Sequence, residues 1–261
     1  MIDVPRCMST QHPDNAAIPF FATSQVLAGE DEIRETYYAF SHLMCDEQMW
    51  DGEGKEIDTY IVRKLLSYYP QFFEHNVLGE KLRLTLRVPN PTVESAEAKV
   101  LLEMLESIPR SFDTARIFYK RDIPPVFEVI LPMTTSADCV NRVYNYYREF
   151  IAERQFKPLR NDTITVAEWI GSFEPQHINV IPLFEDAPTM LQAATIVEQF
   201  LADKNVDYQR VFLARSDTAM NYGLVSAALA NKIALQALDE FSKKQGIPVY
   251  PILGMGSAPF R

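Results

Sequence analysis

Cysteines are few in this sequence, and those present are widely separated. Among its 261 residues there are only three, Cys7, Cys45 and Cys139, and none of them has the short spacing of a metal site. We therefore expect reduced thiols, as in a cytoplasmic protein. The sequence also has no apolar run as long as a membrane span and no positively charged, apolar signal segment at its start. A role in or at a membrane is not expected.

Positive charge is also scarce. The chain carries 25 lysines and arginines against 35 aspartates and glutamates, a formal net charge of -10 with a pI of about 5.0. This balance argues against nucleic acid as a general partner, because nucleic acid binding depends on neutralising phosphates. It does not exclude a small anionic substrate, since a few arginines can dominate the charge of one pocket.

Glycine–serine linkers, low-complexity segments and internal repeats are absent as well. Instead, short apolar or β-branched runs alternate with longer helical patterns, which is typical of a mostly parallel sheet. Seven runs are predicted to be strands, at residues 5–12, 42–48, 82–88, 126–133, 179–184, 210–214 and 248–253. The first two are polar for buried parallel strands, which usually read as continuous apolar runs.

Helical spacing of apolar residues predicts four helices between these strands. They are expected at residues 95–107, 136–154, 189–204 and 217–245. Pro109 should end the first helix, and Ser136 should be the N-cap of the second. Gly246 should follow the end of the fourth.

The alternation predicts an α/β fold, a (β/α)8 TIM-type barrel with extra helices, forming one domain over residues 1–261. A closed barrel of this type has eight strands, and open parallel edges are rarely tolerated. We therefore expect an N-terminal part of a longer protein, with a barrel that stops after about the seventh strand.

Barrels of this kind carry their active sites at the C-terminal ends of the strands. The residues there are His12, 46–51, Arg87, 133–134, 185–186, 215–217 and the glycine-containing loop that ends at Arg261. Glu185 and Asp217 are hard oxygen ligands, and one or two carboxylates with water and substrate oxygens are enough to bind Mg²⁺. Arg87 and Arg261 offer planar guanidinium groups that match a carboxylate or a phosphate.

Structural roles compete with these interpretations. Glu185 and Asp217 are also suited to the N-termini of the helices that follow them. His12, held in an extended or turn conformation by Pro13, is suited to proton transfer but also to a backbone hydrogen bond in a turn. Arg6 and Arg215 can bind anions or pair with Asp14 and Asp217, and no role is assigned to Asp46 or Asp51.

The ordered set of motifs resembles the archaeal-type phosphoenolpyruvate carboxylase family. Residues 6–15 (RCMSTQHPDN) resemble its opening, with the catalytic histidine in a Thr-x-His-Pro motif. Residues 84–87 (LTLR) resemble its arginine-bearing strand, and 182–185 (PLFE) and 216–219 (SDTA) its two metal-carboxylate segments. Residues 254–261 (GMGSAPFR) resemble its glycine-rich loop with a terminal arginine.

The resemblance implies a carbon–carbon lyase that carboxylates phosphoenolpyruvate with bicarbonate, through carboxyphosphate and enolpyruvate, to oxaloacetate and phosphate. It implies His12 and Arg261 as catalytic residues, Arg87 and Arg261 as substrate-binding residues, and Glu185 and Asp217 as ligands of Mg²⁺ or Mn²⁺. It further implies a homotetramer with aspartate or malate as inhibitors.

The sequence departs from the wider family at the glycine-rich loop, where Leu253 and Met255 stand in place of a histidine and an arginine. Family members are also considerably longer. Two other functions remain open: another Mg²⁺-dependent barrel enzyme acting on pyruvate or phosphoenolpyruvate, such as an aldolase or phosphotransferase, and a non-catalytic fragment.

Overall fold

The computed structural model describes residues 4–10, 19–24, 27–52, 57–160 and 163–256. Within these ranges there are seven strands: β1 (Met8–Thr10), β2 (Glu47–Asp51), β3 (Arg83–Arg87), β4 (Glu128–Leu131), β5 (Asn179–Phe184), β6 (Gln209–Ala214) and β7 (Val249–Gly254). None of the helices in the described ranges combines the length and apolar character needed to cross a membrane.

Ten α-helices lie in the same ranges: α1 (Glu30–Ser41), α2 (Ile61–Tyr68), α3 (Pro70–His75), α4 (Val100–Tyr119), α5 (Ala137–Tyr146), α6 (Val166–Ile170), α7 (Ala187–Met190), α8 (Ala193–Leu201), α9 (Ser216–Tyr222) and α10 (Leu224–Gln245). Turns of 3-10 helix occur at Ser95–Glu97 and Glu153–Phe156, and a π-helical turn at Tyr147–Ala152.

The chain divides into two compact units. The first comprises Met1–Val88, Lys99–Glu128 and Arg148–Ile178, and the second comprises Pro89–Ala98, Val129–Tyr147 and Asn179–Arg261. The assignment of residues 1–261 to a single domain stays a prediction.

In the first unit, β1, β2 and β3 are parallel neighbours in chain order. Met8 lies opposite Glu47 in the first pair, and Asp51 lies opposite Arg87 in the second. Helix α2 packs against α1 and α4, and fully buried side chains such as Leu65 form the core between them. Burying a side chain of this size contributes about 1.5–3 kcal/mol.

The strands of this unit also bury charge. Arg83 of β3 donates from Nη1 to Glu128 Oε2 at 2.8 Å, and the two side chains are only 9% and 1% exposed. The Arg83 guanidinium also lies over the Phe127 ring, 5.0 Å from its centroid. Nearby, the Thr85 hydroxyl donates to the buried carboxylate of Glu47. These polar residues explain why β2 and β3 lack the apolar sequence expected of buried parallel strands.

In the second unit, β5, β6 and β7 are parallel neighbours in chain order. Helix α8 packs against α5 and α10 and contributes buried Val197 and Phe200 to the core. Ile181 of β5 and Leu213 of β6 are completely buried, as expected for strands covered on both faces. Parallel strands in chain order with helices between them confirm the predicted α/β fold of the (β/α)8-barrel type.

The predicted strand at residues 42–48 was largely wrong, since β2 spans Glu47–Asp51. The reason is the end of α1, where the His42 amide donates to Tyr38 O and the Cys45 amide donates to Ala39 O. Met44 adopts a left-handed conformation with φ 56° between them. These hydrogen bonds keep residues 42–45 with the helix, so β2 begins at Glu47, only one residue before the predicted end of the strand.

Pro109 does not end its helix, contrary to the prediction. Helix α4 runs from Val100 to Tyr119 and ends where Lys120 adopts a left-handed conformation with φ 57°. An interior proline costs a helix about 3 kcal/mol. Beyond the proline, however, Phe112 and Ala115 are buried, and their burial offsets a local preference of this size.

The other predicted helices are interrupted. The helix expected at 189–204 is α7 followed by α8, and that expected at 217–245 breaks at Gly223, which has φ 83°, into α9 and α10. Ser136 has the extended backbone of an N-cap, but its side chain makes no capping hydrogen bond. Gly246 ends α10 in a left-handed conformation with φ 71°, as predicted.

Candidate active site

An arginine–aspartate pair lies at the C-terminal ends of β2 and β3. Arg87 Nε donates to Asp51 Oδ1 at 2.8 Å, and their side chains are 14% and 10% exposed. The register of the strands puts these two residues opposite each other. The next amide, that of Gly52, donates to Arg87 O at 2.9 Å. A Cβ at position 52 would lie 2.9 Å from Arg87 O, a backbone atom, and 2.4 Å from Met104 Sδ, so glycine favours this close passage.

The pair with Asp51 fixes the direction of the Arg87 side chain. An arginine has five N–H donors in one plane, and the ion pair is made through Nε. The carboxylate therefore fixes the orientation of the guanidinium, a planar group whose fork geometry matches phosphate or carboxylate. This arrangement is suited to hold an anion in one orientation.

Asp46 does not belong to this strand end. It precedes β2, and its Oδ2 accepts hydrogen bonds from the Arg6 amide at 3.1 Å and from Arg6 Nε at 3.4 Å. Arg6 is 89% exposed, so this is a surface pair. The expectation that residues 46–51 all lie at the C-terminal end of the strand was wrong for Asp46, because β2 begins at Glu47.

In the second unit, Glu185 directly follows β5 and is held by the loop after β4. Its Oε2 accepts a hydrogen bond from the Met133 amide at 2.5 Å. Met133 has φ 46°, a left-handed conformation that is unusual for a non-glycine residue. The adjacent Thr134 amide donates to Leu183 O at 3.0 Å. Two successive amides of one loop therefore hold the end of β5.

Asn90 holds that loop from the other side. Its buried Nδ2 donates to Pro132 O at 2.8 Å and to Met133 O at 3.2 Å. Its own amide donates to Glu94 Oε2 at 2.7 Å. A side-chain amide that bonds two consecutive carbonyls restrains their orientation, so Asn90 supports the conformation that presents the Met133 amide to Glu185.

Asp217 lies in the first turn of α9 and is exposed, and its Oδ2 accepts a hydrogen bond from Ser216 Oγ at 3.2 Å. The next residue, Thr218, donates through Oγ1 to Glu185 O at 3.1 Å and to Ala214 O at 2.8 Å. The buried Thr218 hydroxyl thus connects the end of β5 to the start of α9. Glu185 and Asp217 consequently follow neighbouring strands at the same end of the sheet.

The capping role considered for Glu185 is performed by its neighbour. Asp186 is the N-cap of α7, and its Oδ1 accepts a hydrogen bond from the Thr189 amide at 2.8 Å. In α9 the N-cap position is occupied by Arg215, and Asp217 is the second helical residue. Neither Glu185 nor Asp217 is therefore an N-cap.

Glu185 and Asp217 offer a small set of hard donors. In the part of the chain that the structure describes, there is no group of three or more histidine, cysteine, aspartate or glutamate side chains able to hold a metal ion. A closed site made only of protein ligands is therefore absent from these residues. Two carboxylates fit an ion such as Mg²⁺, which keeps water and substrate oxygens among its ligands.

Arg215 lies between these carboxylates and the start of the glycine-containing loop. Its amide donates to Gly254 O at 2.7 Å, and its Nη1 lies 3.8 Å from Met255 Sδ. The ion pair with Asp217, one of the two roles left open for Arg215, is not formed, and within the described residues the buried Nε has no hydrogen-bond partner. A buried donor without an acceptor is costly, and an anion can provide that acceptor.

Gly254 has a packing role rather than a ligand-binding one. A side chain at this position would lie 2.5 Å from the Phe212 ring. Leu253, which precedes it, is 46% exposed. His12, Asp14 and Arg261 lie outside the described residues, so their predicted roles stay predictions.

Sequence reasoning left Asp51 without a role and gave none to Asn90. The pairing of Asp51 with Arg87 follows from the strand register, and predicting that register requires the correct end of β2. The signal for Asn90 is its position between Pro89 and Pro91, because two prolines prevent a helix and leave an amide side chain free to bond the backbone of another loop.

Over residues 4–261 the sequence matches the family described as phosphoenolpyruvate carboxylase. The chain belongs to the phosphoenolpyruvate carboxylase family. The match covers the arginine–aspartate pair, both carboxylates and the glycine-containing loop. It confirms the resemblance that the ordered motifs indicated.

Members of the phosphoenolpyruvate carboxylase family that are similar to this chain come from archaea. The phosphoenolpyruvate carboxylase of Methanothermobacter thermautotrophicus is 63% identical over 258 residues, covering 99% of this chain and 53% of the relative. That of Methanospirillum hungatei JF-1 is 58% identical over 258 residues, with coverage of 99% and 53%. That of Halobacterium salinarum is 56% identical over 265 residues, with coverage of 100% and 54%.

The chain spans about half the length of the curated phosphoenolpyruvate carboxylases it matches. Among solved structures, an HpcH/HpaI aldolase from Desulfitobacterium hafniense DCB-2 is similar with a TM-score of 0.48 and 16% identity, covering 88% of this chain and 74% of that one.

Proposed function

We propose that the protein is a phosphoenolpyruvate carboxylase, which uses bicarbonate to convert phosphoenolpyruvate to oxaloacetate and phosphate with Mg²⁺ or Mn²⁺. The observation that carries this proposal is the family match over residues 4–261, together with 63% identity to a curated phosphoenolpyruvate carboxylase. Two features support it separately: Arg87 is held by Asp51, and Glu185 and Asp217 follow neighbouring strands of the second unit.

Arg87 is proposed to bind the phosphate of phosphoenolpyruvate. Asp51 orients its guanidinium through the 2.8 Å contact to Nε, so that a planar cation of fixed direction is presented to the phosphate. An arginine held in this way loses less side-chain freedom on binding than an exposed one. Asp51 is thus a positioning residue for the substrate.

Glu185 and Asp217 are the proposed ligands of the divalent cation. When bound, the cation supplies a Lewis acid that stabilises negative charge on substrate oxygens. The chain's own contribution is orientation: the Met133 amide holds the Glu185 carboxylate, and the Thr218 hydroxyl holds the Glu185 carbonyl.

His12 and Arg261 are proposed to act after bicarbonate has attacked the phosphate. His12 takes or holds the bicarbonate proton while carboxyphosphate breaks down to carbon dioxide and phosphate, a role suited to a side chain that titrates near neutral pH. Arg261 keeps carbon dioxide and phosphate close to the enolate, because their escape would leave only pyruvate.

The proposal is tested by product analysis of the complete gene product with phosphoenolpyruvate, Mg²⁺ and labelled bicarbonate. We expect the label in oxaloacetate, with strict dependence on the metal. Formation of unlabelled pyruvate and phosphate would be compatible with the proposed metal site but would overturn the proposed carboxylation. A product formed without any need for bicarbonate would favour the aldolase or phosphotransferase instead, and absence of any reaction would favour the non-catalytic fragment.

Substitution of Arg261 or His12, which are proposed to act after bicarbonate attack, should divert the product from oxaloacetate to pyruvate. In Arg261→Gln or His12→Asn, we expect phosphoenolpyruvate to be consumed while the share of label in oxaloacetate falls about 10-fold or more, because a general acid–base or orienting group is worth about 10²–10⁴ in rate. The measurement compares oxaloacetate with pyruvate at equal substrate consumption. An unchanged ratio would remove the substituted residue from this step.

Substitution of Asp51 should affect substrate binding more than chemistry. In Asp51→Asn the Arg87 side chain loses the charged partner that orients it, and we expect KM for phosphoenolpyruvate to rise about 10-fold, in line with one charge-assisted hydrogen bond. Measured kcat should change little. The matched control is Asp46→Asn, which removes a surface partner of Arg6; an equal effect in both variants would contradict the positioning role.

Assembly, regulation and location are proposed with the family assignment. We propose a homotetramer that aspartate or malate inhibits, acting in the cytoplasm without nucleic acid or membrane as a partner. Sedimentation of the complete gene product and its activity with added aspartate or malate would check the first two points.

A further inference from the structure

Two of the three cysteines lie next to each other in the first unit. Cys7 Sγ and Cys45 Sγ are 3.6 Å apart. Cys7 is exposed and Cys45 is buried. This pair plays no part in the proposed carboxylation. The proximity was not evident from the sequence, in which the two residues are 38 positions apart.

The main chain on both sides holds the two thiols in this position. Cys7 O accepts hydrogen bonds from the Asp46 and Glu47 amides, both at 3.1 Å, and the Cys45 amide donates to Ala39 O at 3.0 Å. A disulfide requires the sulfurs at about 2.05 Å, so they must approach by about 1.5 Å. Rotation of the exposed Cys7 side chain can supply a movement of this size without breaking these backbone bonds.

We propose that Cys7 and Cys45 form a reversible thiol–disulfide site that reacts with low-molecular-weight disulfides. The Cys7 thiolate attacks one sulfur of the reagent, forming a mixed disulfide and releasing the first reagent thiolate. Cys45 then loses its proton and attacks the Cys7 sulfur, forming the Cys7–Cys45 bond and releasing the second reagent thiolate. The protein loses two electrons and two protons, and the reagent is reduced to two thiols.

The order of the two attacks follows from the surroundings of each thiol. Cys7 is exposed and reaches a dissolved reagent directly, whereas Cys45 is buried. Burial, together with the contact to Cys7, raises the pKa of the Cys45 thiol to about 12. A thiol of this kind reacts slowly with reagents in solution but is held beside the single sulfur that it has to attack.

The bond would fasten the N-terminal strand to the rest of its unit. Strand β1 begins at Met8, directly after Cys7, has only three residues and is partly exposed. On the other side, Cys45 lies two residues before β2. A cross-link over 38 positions restricts the unfolded chain, so the oxidised protein should be the more stable form.

The first measurement is the reaction of the folded, complete gene product with 5,5′-dithiobis(2-nitrobenzoate), an aromatic disulfide. The wild type should release two equivalents of thionitrobenzoate from this pair and retain no adduct at Cys7, and peptide mass analysis without reduction should show Cys7 joined to Cys45. Cys45→Ser should release one equivalent there and keep the adduct. Cys7→Ser should be almost unreactive at this site.

Cys139 provides the matched control. It belongs to the second unit, where it is buried and its Sγ donates to Ser136 O at 2.9 Å. Cys139→Ser should therefore behave like the wild type. A stable adduct at Cys7 beside a free Cys45 in the wild type would overturn the proposal, as would a cross-link that involves Cys139.

The second measurement is thermal unfolding of the same proteins. Oxidation should raise the Tm of the wild type by about 5 °C, and dithiothreitol should reverse this rise, while Cys7→Ser should show no such shift. Because Cys7 is exposed, its serine variant keeps the fold even if Cys45→Ser does not. Neither readout requires carboxylase activity, so the outcome is independent of the proposed function.

Discussion

Replacement of Glu185 by glutamine is expected to remove most of the metal-dependent activity while preserving the fold. The Met133 amide can donate to a glutamine oxygen as it does to Glu185 Oε2, so the loop after β4 keeps its hydrogen bond. What disappears is the negative charge that a divalent cation requires. A Lewis acid is worth several kcal/mol to the transition state, and each 1.36 kcal/mol is tenfold in rate, so kcat/KM should fall about 100-fold or more.

Asp217→Asn is expected to give a similar loss through a different route. Asp217 is exposed and bonded to Ser216, so its substitution leaves the packing of α9 unchanged. Direct Mn²⁺ binding, followed by calorimetry or by electron paramagnetic resonance, should weaken in both variants. This readout separates a lost ligand from a lost catalytic group, because binding is measured without turnover.

Asp186→Asn is the matched control for these two variants. Asp186 is the neighbour of Glu185 in sequence and is also acidic, but it caps α7 through the Thr189 amide. Asparagine is as good an N-cap as aspartate, so metal binding and activity should stay within about 2-fold of wild type. A normal Mn²⁺ titration in Glu185→Gln or Asp217→Asn would remove that residue from the ligand set. Equal weakening in Asp186→Asn would mean that net charge, rather than ligation, controls binding.

The sequence was most informative where strands are apolar and end in a polar residue. The run at 179–184 was predicted with the bounds that β5 has, and Glu185 was therefore located at the strand end. Val180, Ile181 and Leu183 are buried as the pattern requires. A local pattern sufficed here because both faces of the strand are covered by apolar groups.

The sequence was least informative where a long-range contact decides the local structure. The end of α1 takes residues 42–45 out of the predicted second strand through bonds to Tyr38 and Ala39, which displaced the predicted strand end from Asp51. As a result the Arg87–Asp51 pair could not be inferred. Similarly, Pro109 is tolerated because α4 buries apolar groups on both sides of it, and local rules for proline do not contain that information.

The buried ion pair between Arg83 and Glu128 had no signal in the sequence at all. The two residues are 45 positions apart, and a charged residue in a predicted strand is normally assigned to a solvent-exposed face. Each charge is stabilised in the interior by the other, since burying an unpaired charge is strongly unfavourable. The free energy of unfolding should therefore depend strongly on both members of the pair.

Removal of either member of this pair is expected to destabilise the protein strongly. Arg83→Met removes the cation that lies 2.8 Å from the buried Glu128 carboxylate, and Glu128→Leu removes the anion that Arg83 Nη1 contacts. Breaking a buried pair in this way costs about 3–5 kcal/mol, which lowers Tm by about 10 °C in a chain of this size. Urea unfolding of each variant measures the free energy directly.

The double variant Arg83→Met, Glu128→Leu should be more stable than either single variant, because it removes both members of the pair together and replaces them with apolar groups. The control is the surface pair of Arg121 and Glu80, whose contacts are 2.8 and 3.1 Å but whose side chains are 52% and 46% exposed. Arg121→Met should cost less than about 1 kcal/mol. If the losses from Arg83→Met and Glu128→Leu simply added in the double variant, the two charges would not be coupled. Burial, rather than the short contact itself, is what makes the first pair sensitive and the second tolerant.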